Sequence, residues 1–449
     1  MSVDTVSLSG WGRTAPTTAL RFRPRTYEDA ALVVRGRGPR GVVARGLGRA
    51  HGDAAQNAGG SVIDMTALDR IRAVDAVAGT VVCDAGVSLH RLMGTVLPLG
   101  WFLPVTPATR QVTVGGAIGS DVHGRNHRTA GSFARHVRAL ELLTADGEVR
   151  TVLPGSALFD ATAGGLGLTG VILSATLGLR PVTSSLMSVD TARANDLDEA
   201  LARLAACGDR TPYAAAWIDL LARGRSTGRA VVTRGEHAPL DALPACARRT
   251  ALEFRPGPLP TASALIPEGL LGRTPAALLN GLRFRGSPAS RSGEPQGIST
   301  FFHPMDAAPR WGRAPGRGGS VQYQFTVGHG QEETLHRIVR RLTLRRCPAF
   351  HAVLKRFGEG GPGWLSFPAP GWTLSFGLPV GLPGLARLLD GLDEEVAAAG
   401  GRVCLAKDAR LRPGLLAAMY PRLPEFRALR EELDPAGAFR SDLSRRLAL

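Results

Sequence analysis

Of the 54 basic residues in this chain only Lys355 and Lys407 are lysines, so 52 (54 minus 2) are arginines. Lysine presents a compact ammonium with three rotatable donors and a pKa that burial lowers, which arginine cannot copy. A background that has made nearly every other cation arginine, yet keeps lysine at 355 and 407, marks the two as candidate active-site amines. A second signal is the loop Arg45-Gly46-Leu47-Gly48-Arg49-Ala50-His51-Gly52-Asp53, which follows the apolar run Val42 to Ala44. Glycines at 46, 48 and 52 let successive N–H groups turn into one concavity suited to phosphate oxygens, with Arg45 and Arg49 placed to add charge. A pyrophosphate suits such a nest. The third signal runs from Pro107 through Gly115-Gly116-Ala117-Ile118 to Asp121-Val122-His123-Gly124-Arg125-Asn126-His127. Small residues allow a flat ring to lie on the main chain there, and His123 and His127 bring polar contacts.

These pieces need a scaffold. Short β-type runs at Gly41 to Ala44, Ser61 to Met65, Thr80 to Cys83 and Ala139 to Leu143, the last turning at Asp146-Gly147 into Val149 to Val152, alternate with helical patterns such as Glu28 to Val34. This mixture predicts an α+β fold rather than a regular βαβ series. Gly165-Leu166-Gly167-Leu168-Thr169-Gly170 fits G-x-G-x-x-G, but a helical Ser156 to Thr162 precedes it and a strand-like Val171 to Leu177 follows. The dinucleotide fingerprint needs the reverse order, so the glycines read as a tight helix-to-strand turn.

The 449 residues suggest two or three units, with changes of texture near 187 and 402 that divide the chain into 1–186, 187–401 and 402–449. The second unit has helical patterns at Asp196 to Ala206 and Gly384 to Ala399 and strands at Ser320 to Val327 and Gly371 to Val380; the third has helical Pro413 to Met419 and Glu425 to Glu432. Pro256 to Pro295 reads as loop, a candidate lid. The net charge of +16 is dispersed, with no basic tract or aromatic stripe, so nucleic acid is not the expected partner. Five scattered cysteines without a CxxC pair read as buried thiols, and no metal is expected. No run is long and apolar enough to span a membrane and the start lacks a secretory apolar core. The chain is therefore expected in the cytoplasm or peripherally on the inner membrane, the periplasmic face staying open.

Taken in order, Pro24 to Asp29, the 45–53 loop, the Pro107 to His127 segments, LLTADGEVR and the 165–170 glycines resemble the FAD-binding PCMH-type domain of vanillyl-alcohol-oxidase-like flavoproteins. Within that superfamily the chain is similar to the decaprenylphosphoryl-β-D-ribose 2′-oxidase family. The similarity runs on through Gly10-Trp11-Gly12-Arg13-Thr14, Phe302-His303-Pro304, Gln322-Tyr323-Gln324-Phe325, Ser366-Phe367-Pro368, Gly371-Trp372, Ala406-Lys407-Asp408, Met419-Tyr420-Pro421 and Ser441-Asp442. The resemblance implies a two-domain α+β fold, an FAD-binding domain over 1–186 plus an antiparallel-sheet substrate-binding domain over 187–401, with the C-terminal segment 402–449 returning to the FAD-binding domain. It implies FAD held by Arg45, Gly46, Leu47, Gly48, Arg49, Ala50, His51, Gly115, Gly116, Ala117, Ser120, Val122, His123, Gly124, Gly167, Ile172 and Cys404. It implies a substrate pocket with Trp217, Phe302, Gln322, Thr373 and Ser375, and Lys407, Lys355 and Gln324 at the chemistry.

The implied reaction is oxidation of the 2′-hydroxyl of a polyprenylphosphoryl ribose, half of an epimerisation to the arabinose donor for cell-wall arabinan. A short-chain NADH-dependent reductase is the implied partner. Lys407 suits a cationic or hydrogen-bonding role, with Gln324 and Lys355 placing the sugar and its phosphate. Relatives that tether FAD covalently carry His at the position of Arg49, so non-covalent FAD is expected, with His51 two residues on. The chain departs from the family at His51 and Cys404, where tyrosines are usual, at Thr373 for Asn, Ser375 for Cys and Phe302 for Tyr. Inhibitors trapped by a thiol at position 375 are therefore not expected to bond here. Two other readings stay open: a related alcohol oxidase for a soluble sugar or specialised metabolite, and a non-catalytic flavin- or inhibitor-binding homologue.

Overall fold

The computed structural model describes residues 1–208, 211–254, 256, 272–306 and 318–449. The N-terminal part holds two sheets. In the first, Ser2–Leu8 pairs antiparallel with Thr17–Arg23, and Ser61–Asp64 then runs parallel to both Thr17–Arg23 and Val42–Arg45. The second is antiparallel, in the order Ile71–Asp75, Thr80–Asp84, Val171–Gly178, Val137–Leu143, Val149–Val152. Between the glycine pattern and its neighbours the order is helix Ala157–Thr162, turn, strand Val171–Gly178.

The other large element is an eight-stranded antiparallel sheet, ordered Ser290–Gly297, Leu186–Ala194, Ala230–His237, Tyr213–Ile218, Phe350–Phe357, Gly371–Pro379, Ser320–Val327, Arg402–Val403. Its central strands alternate strictly, so each has two different faces. Tyr323, Phe325, Val327, Leu374, Phe376 and Leu378 bury against helices Leu197–Ala205, Glu332–Leu344 and Leu385–Ala398, whose apolar positions recur at helical spacing. The opposite face carries Gln322, Gln324, Thr373 and Ser375, all buried, and looks to the N-terminal part, where Gln324 meets His123. The fold is thus α+β and two-domain, of the vanillyl-alcohol-oxidase type.

The chain's end packs back on its beginning. Phe439 bridges Val42 in parallel, Asp442 accepts from Thr17 Oγ1 (3.1 Å) and from the Ala58 amide (2.9 Å), and Arg446 forks onto Asp53 at 2.8 and 2.9 Å. Arg446 also reaches Asp408 at 2.9 Å, which fastens the 45–53 loop to the segment that carries Lys407.

Two expectations are corrected. Within 256–295, helix Arg273–Gly286 and edge strand Ser290–Gly297 replace the expected loop, while residues 257–271 lie outside the described residues. The strand was illegible because it is polar and contains Pro295, which a sheet accepts at an edge where no ladder donor is needed. Among the cysteines Cys246 is exposed, on the short helix Ala245–Arg248, which buries no residue.

Candidate active site

Between the two parts lies a cleft of about 1480 Å³, its open mouth included. One wall is the 45–53 loop. Gly46 stands so close to Thr113 that a Cβ there would fall 2.1 Å from Thr113 Oγ1. That hydroxyl caps helix Val114–Gly119 by accepting from the Gly116 amide at 3.2 Å, so loop and glycine helix dock only because position 46 lacks a side chain. Arg45, Gly46, Leu47, Gly48, Arg49, Ala50 and His51 all line the cleft, as do Gly115, Gly116, Ser120, Val122 and His123 from the glycine helix and its extension. Gly167, Ile172 and Cys404 complete the expected cofactor wall. Ala117 is buried beneath the helix, in the core, because a one-turn helix shows only one side to the cleft. Gly124 also stands outside it and accepts from Lys355 Nζ at 3.4 Å.

The Arg45 guanidinium is tied to the protein's own carbonyls. It donates to the carbonyls of Ala55 and Ser9, both at 2.8 Å, and braces the loop from behind. Arg49 lies 5.2 Å over the Trp11 ring with its Nε unpartnered. Trp11 in turn lies 5.1 Å from His51, whose imidazole burial drives down to about 3. A neutral His51 fits a site that already holds cations.

At the other end Lys355 and Lys407 reach the same cleft. Lys407 Nζ donates to Ser375 Oγ at 3.0 Å, and Gln322 Nε2 donates to the same oxygen at 2.8 Å. With both lone pairs engaged, the Ser375 O–H is left to donate. Gln324 Nε2 contacts Thr373 Oγ1 and His123 Nε2, each at 3.0 Å, and its Oε1 is buried without a partner. Thr373 donates onward to the Phe325 carbonyl at 2.8 Å, which fixes the direction of the chain. His123 accepts at Nε2 and so carries its proton on Nδ1. Burial, then Lys355 and Lys407, hold it well below the ordinary histidine value. Burial also lowers Lys407, and burial with Lys407 and Arg125 pushes Lys355 down to about 7. Among the described residues no carboxylate lines the cleft.

Gln322, Gln324, Thr373 and Ser375 therefore form a layer behind the cleft wall, which braces Lys407 through Ser375 and His123 through Gln324. Phe302 is corrected outright. Its ring is 2% exposed and packs at 4.8 Å from Tyr213 and 4.9 Å from Phe301, because helix Ile298–Phe302 drives both phenylalanines into the core. Trp217 lies outside the cleft, under Arg283 at 4.5 Å. Several lining residues had escaped notice as site residues: Trp11, Met65, Ala85, Thr113, Leu166 and Met305. Thr113 was legible as an N-cap before Gly115-Gly116. The others are apolar or remote and carry no local signal.

The lining fits FAD. Among the described residues the amides of Leu47, Gly48, Arg49 and Ala50 donate to no protein acceptor, leaving a row of donors for a pyrophosphate. Gly167 has φ +76° and a Cβ there would project into open space, so the main chain itself is the surface offered to a flat ring.

The family model for the FAD binding domain matches residues 18–153. Over 455 residues the chain is 43% identical to decaprenylphosphoryl-beta-D-ribose oxidase of Mycolicibacterium smegmatis, covering 99% of this chain and 98% of that protein. It is 54% identical over 371 residues to an uncharacterized protein in the mprA 5′ region of Streptomyces coelicolor, covering 81% of this chain and all of that one. Alditol oxidase from a Streptomyces species is 27% identical over 454 residues, 98% of this chain and 99% of that protein. Fold, cleft and similarity define an FAD-dependent oxidoreductase acting on CH–OH groups. More narrowly, the chain belongs to the decaprenylphosphoryl-β-D-ribose oxidase family. Among the described residues no helix is long and apolar enough to cross a membrane.

Proposed function

We propose that this protein oxidises the 2′-hydroxyl of a polyprenylphosphoryl-β-D-ribose to the 2′-keto sugar. The observation that carries the reading is the pair Lys355 and Lys407 at one end of a cleft that no carboxylate lines among the described residues, in a chain similar over 99% of its length to an oxidase named for that substrate. FAD, when bound, supplies the acceptor for the carbinol hydride. Lys407 Nζ holds the reacting hydroxyl by a hydrogen bond and takes its proton, since burial favours the neutral amine. The resulting ammonium remains bonded to Ser375 Oγ, which braces it from behind the cleft wall. Gln324 steadies His123 from behind the cleft wall through its Nε2. Lys355, about half in its ammonium form near neutral pH, faces the phosphate. A short-chain reductase using NADH would return the ketone as the epimer, the arabinose donor for cell-wall arabinan, and a basic chain suits an anionic membrane surface that presents lipid-linked substrate.

A soluble polyol is the second reading, supported by the similarity to alditol oxidase and by the family departures at His51, Thr373, Ser375 and Cys404. Anaerobic mixing of the FAD-loaded protein with a polyprenylphosphoryl ribose or with soluble alditols separates the two. Flavin bleaching by the lipid-linked sugar is the expected result. Bleaching by alditols alone overturns it in favour of the second reading, and bleaching by no alcohol leaves a non-catalytic flavin-binding protein.

A further inference from the structure

The polar face of the large sheet continues beyond Lys355. Trp217 stands opposite Val353 on one side and Val231 on the other, and Ala215 opposite Thr233, so Lys355, Trp217 and Thr233 share that face on three neighbouring strands. Two arginines converge on it from different parts of the chain. Arg125, two residues after His123, donates to Thr233 Oγ1 at 2.9 Å and lies 4.7 Å over the Phe301 ring. Arg283, from helix Arg273–Gly286, lies 4.5 Å over the Trp217 ring. The helix is anchored in that pose by Asn280, which donates to Asp219 at 2.7 Å, the same carboxylate that takes Arg229 at 2.8 Å.

The contrast between these arginines is informative. Arg229 and Arg234 have carboxylate partners, whereas among the described residues neither Arg125 nor Arg283 has one. Burial and the nearby Arg283 push Arg125 down to about 10, and Arg125 in turn depresses Lys355. Lys355, Arg125 and the solvent-exposed Arg283 thus lie on or over one sheet face, and among the described residues no carboxylate pairs with either arginine, so an arriving anion meets unneutralised charge there. Planar guanidinium groups match the paired oxygens of a phosphate, and the Trp217 and Phe301 rings hold them in place.

We infer that Arg125 and Arg283, together with Lys355, form a subsite for the phosphate of an organophosphate substrate. The identification of that phosphate with the diester of a lipid-linked sugar rests on the function proposed above.

The test measures binding to the FAD-loaded protein by calorimetry with three probes: methyl farnesyl phosphate, a phosphodiester monoanion; ribose 5-phosphate; and uncharged farnesol. Arg125→Gln and Arg283→Gln are each expected to raise the Kd of the diester about tenfold to a hundredfold, the effect of one charge-assisted contact, and to leave farnesol unchanged. Arg125→Lys and Arg283→Lys retain most of the affinity, and full FAD absorbance in every variant shows that the fold is intact. Ribose 5-phosphate binding with the same arginine dependence, and the diester no better, assigns the subsite to a soluble phosphate. An unchanged Kd for both phosphates in both Gln variants overturns the inference. If phosphate binding falls in the variants yet no polyprenylphosphoryl ribose bleaches the flavin, the proposed reaction fails and the subsite stands. If that sugar bleaches the flavin with wild-type KM in both Gln variants, the subsite fails and the reaction stands.

Discussion

Raising the pH through neutrality should loosen the hold on a phosphate, and the size of the effect follows from Lys355. Among the described residues its Nζ reaches only the Gly124 carbonyl, at a long 3.4 Å, and it lies 5.6 Å from the centre of the Phe357 ring. His123 and His127, also against Phe357, are held neutral, the latter down at about 3, and Lys407 and Arg125 add only positive charge. The ammonium is accordingly down at about 7. Such a group is about nine-tenths charged at about pH 6 and about one-tenth charged at about pH 8, so a ligand that needs the charge loses roughly tenfold in affinity, near 1.4 kcal/mol. For folding the sign is the reverse: the amine is favoured in the folded state, so the Lys355 contribution to stability rises from about pH 7 towards the ordinary lysine value of 10.5. The assay is the Kd of methyl farnesyl phosphate for the FAD-loaded protein across this range, a probe whose own charge does not change. Lys355→Arg should abolish the dependence, because a guanidinium stays protonated throughout. A Kd that is flat with pH in the unmodified protein, or a dependence that persists in Lys355→Arg, refutes the reasoning.

Lys407→Met should slow flavin reduction by about a hundredfold to a thousandfold, in the range of other positioned acid–base groups and donors, while FAD absorbance is retained. In the unmodified protein the reduction rate should climb as the pH rises through the lowered pKa of Lys407, since the neutral amine is the proton acceptor; stopped-flow traces with no such rise would remove that role. Gly46→Ala places a methyl group 2.1 Å from Thr113 Oγ1, an overpacking expected to cost about 1–3 kcal/mol and to weaken FAD binding at least tenfold in a flavin titration. Cys83, Cys207, Cys347 and Cys404 are buried and Cys246 is exposed, so a thiol reagent should label one equivalent quickly in the native protein and five on unfolding. Mass mapping that finds rapid labelling at Cys404 would contradict an inert thiol in the cleft, and Ser375 should remain unlabelled throughout.

Several features of the site were legible because their signals are local. The glycine spacing in Arg45 to Asp53, the Gly115 to His127 string and the alternation in Ser320–Val327 each report a conformation through neighbouring residues. The rarity of lysine singled out 355 and 407 without any reference to space. What escaped was decided by partners far along the chain. Arg45 looked free to meet a phosphate but is held by Ser9 and Ala55, and Phe302 looked like pocket lining until Tyr213 and Phe301 enclosed it. The polar strand Ser290–Gly297 is stable only because Leu186–Ala194 supplies its hydrogen bonds.

The lysines show most clearly where the division falls. Composition alone singled out positions 355 and 407, and similarity of order along the chain pointed to FAD as the cofactor. Their working environment was decided by register: Ser375 pairs with Gln324 on one side and Val353 on the other, which sets its hydroxyl against Lys407 and places Thr373 opposite Lys355. A slip of one residue in those strands would turn all of these side chains to the helix-covered face, and nothing in the local sequence around either lysine encodes that choice.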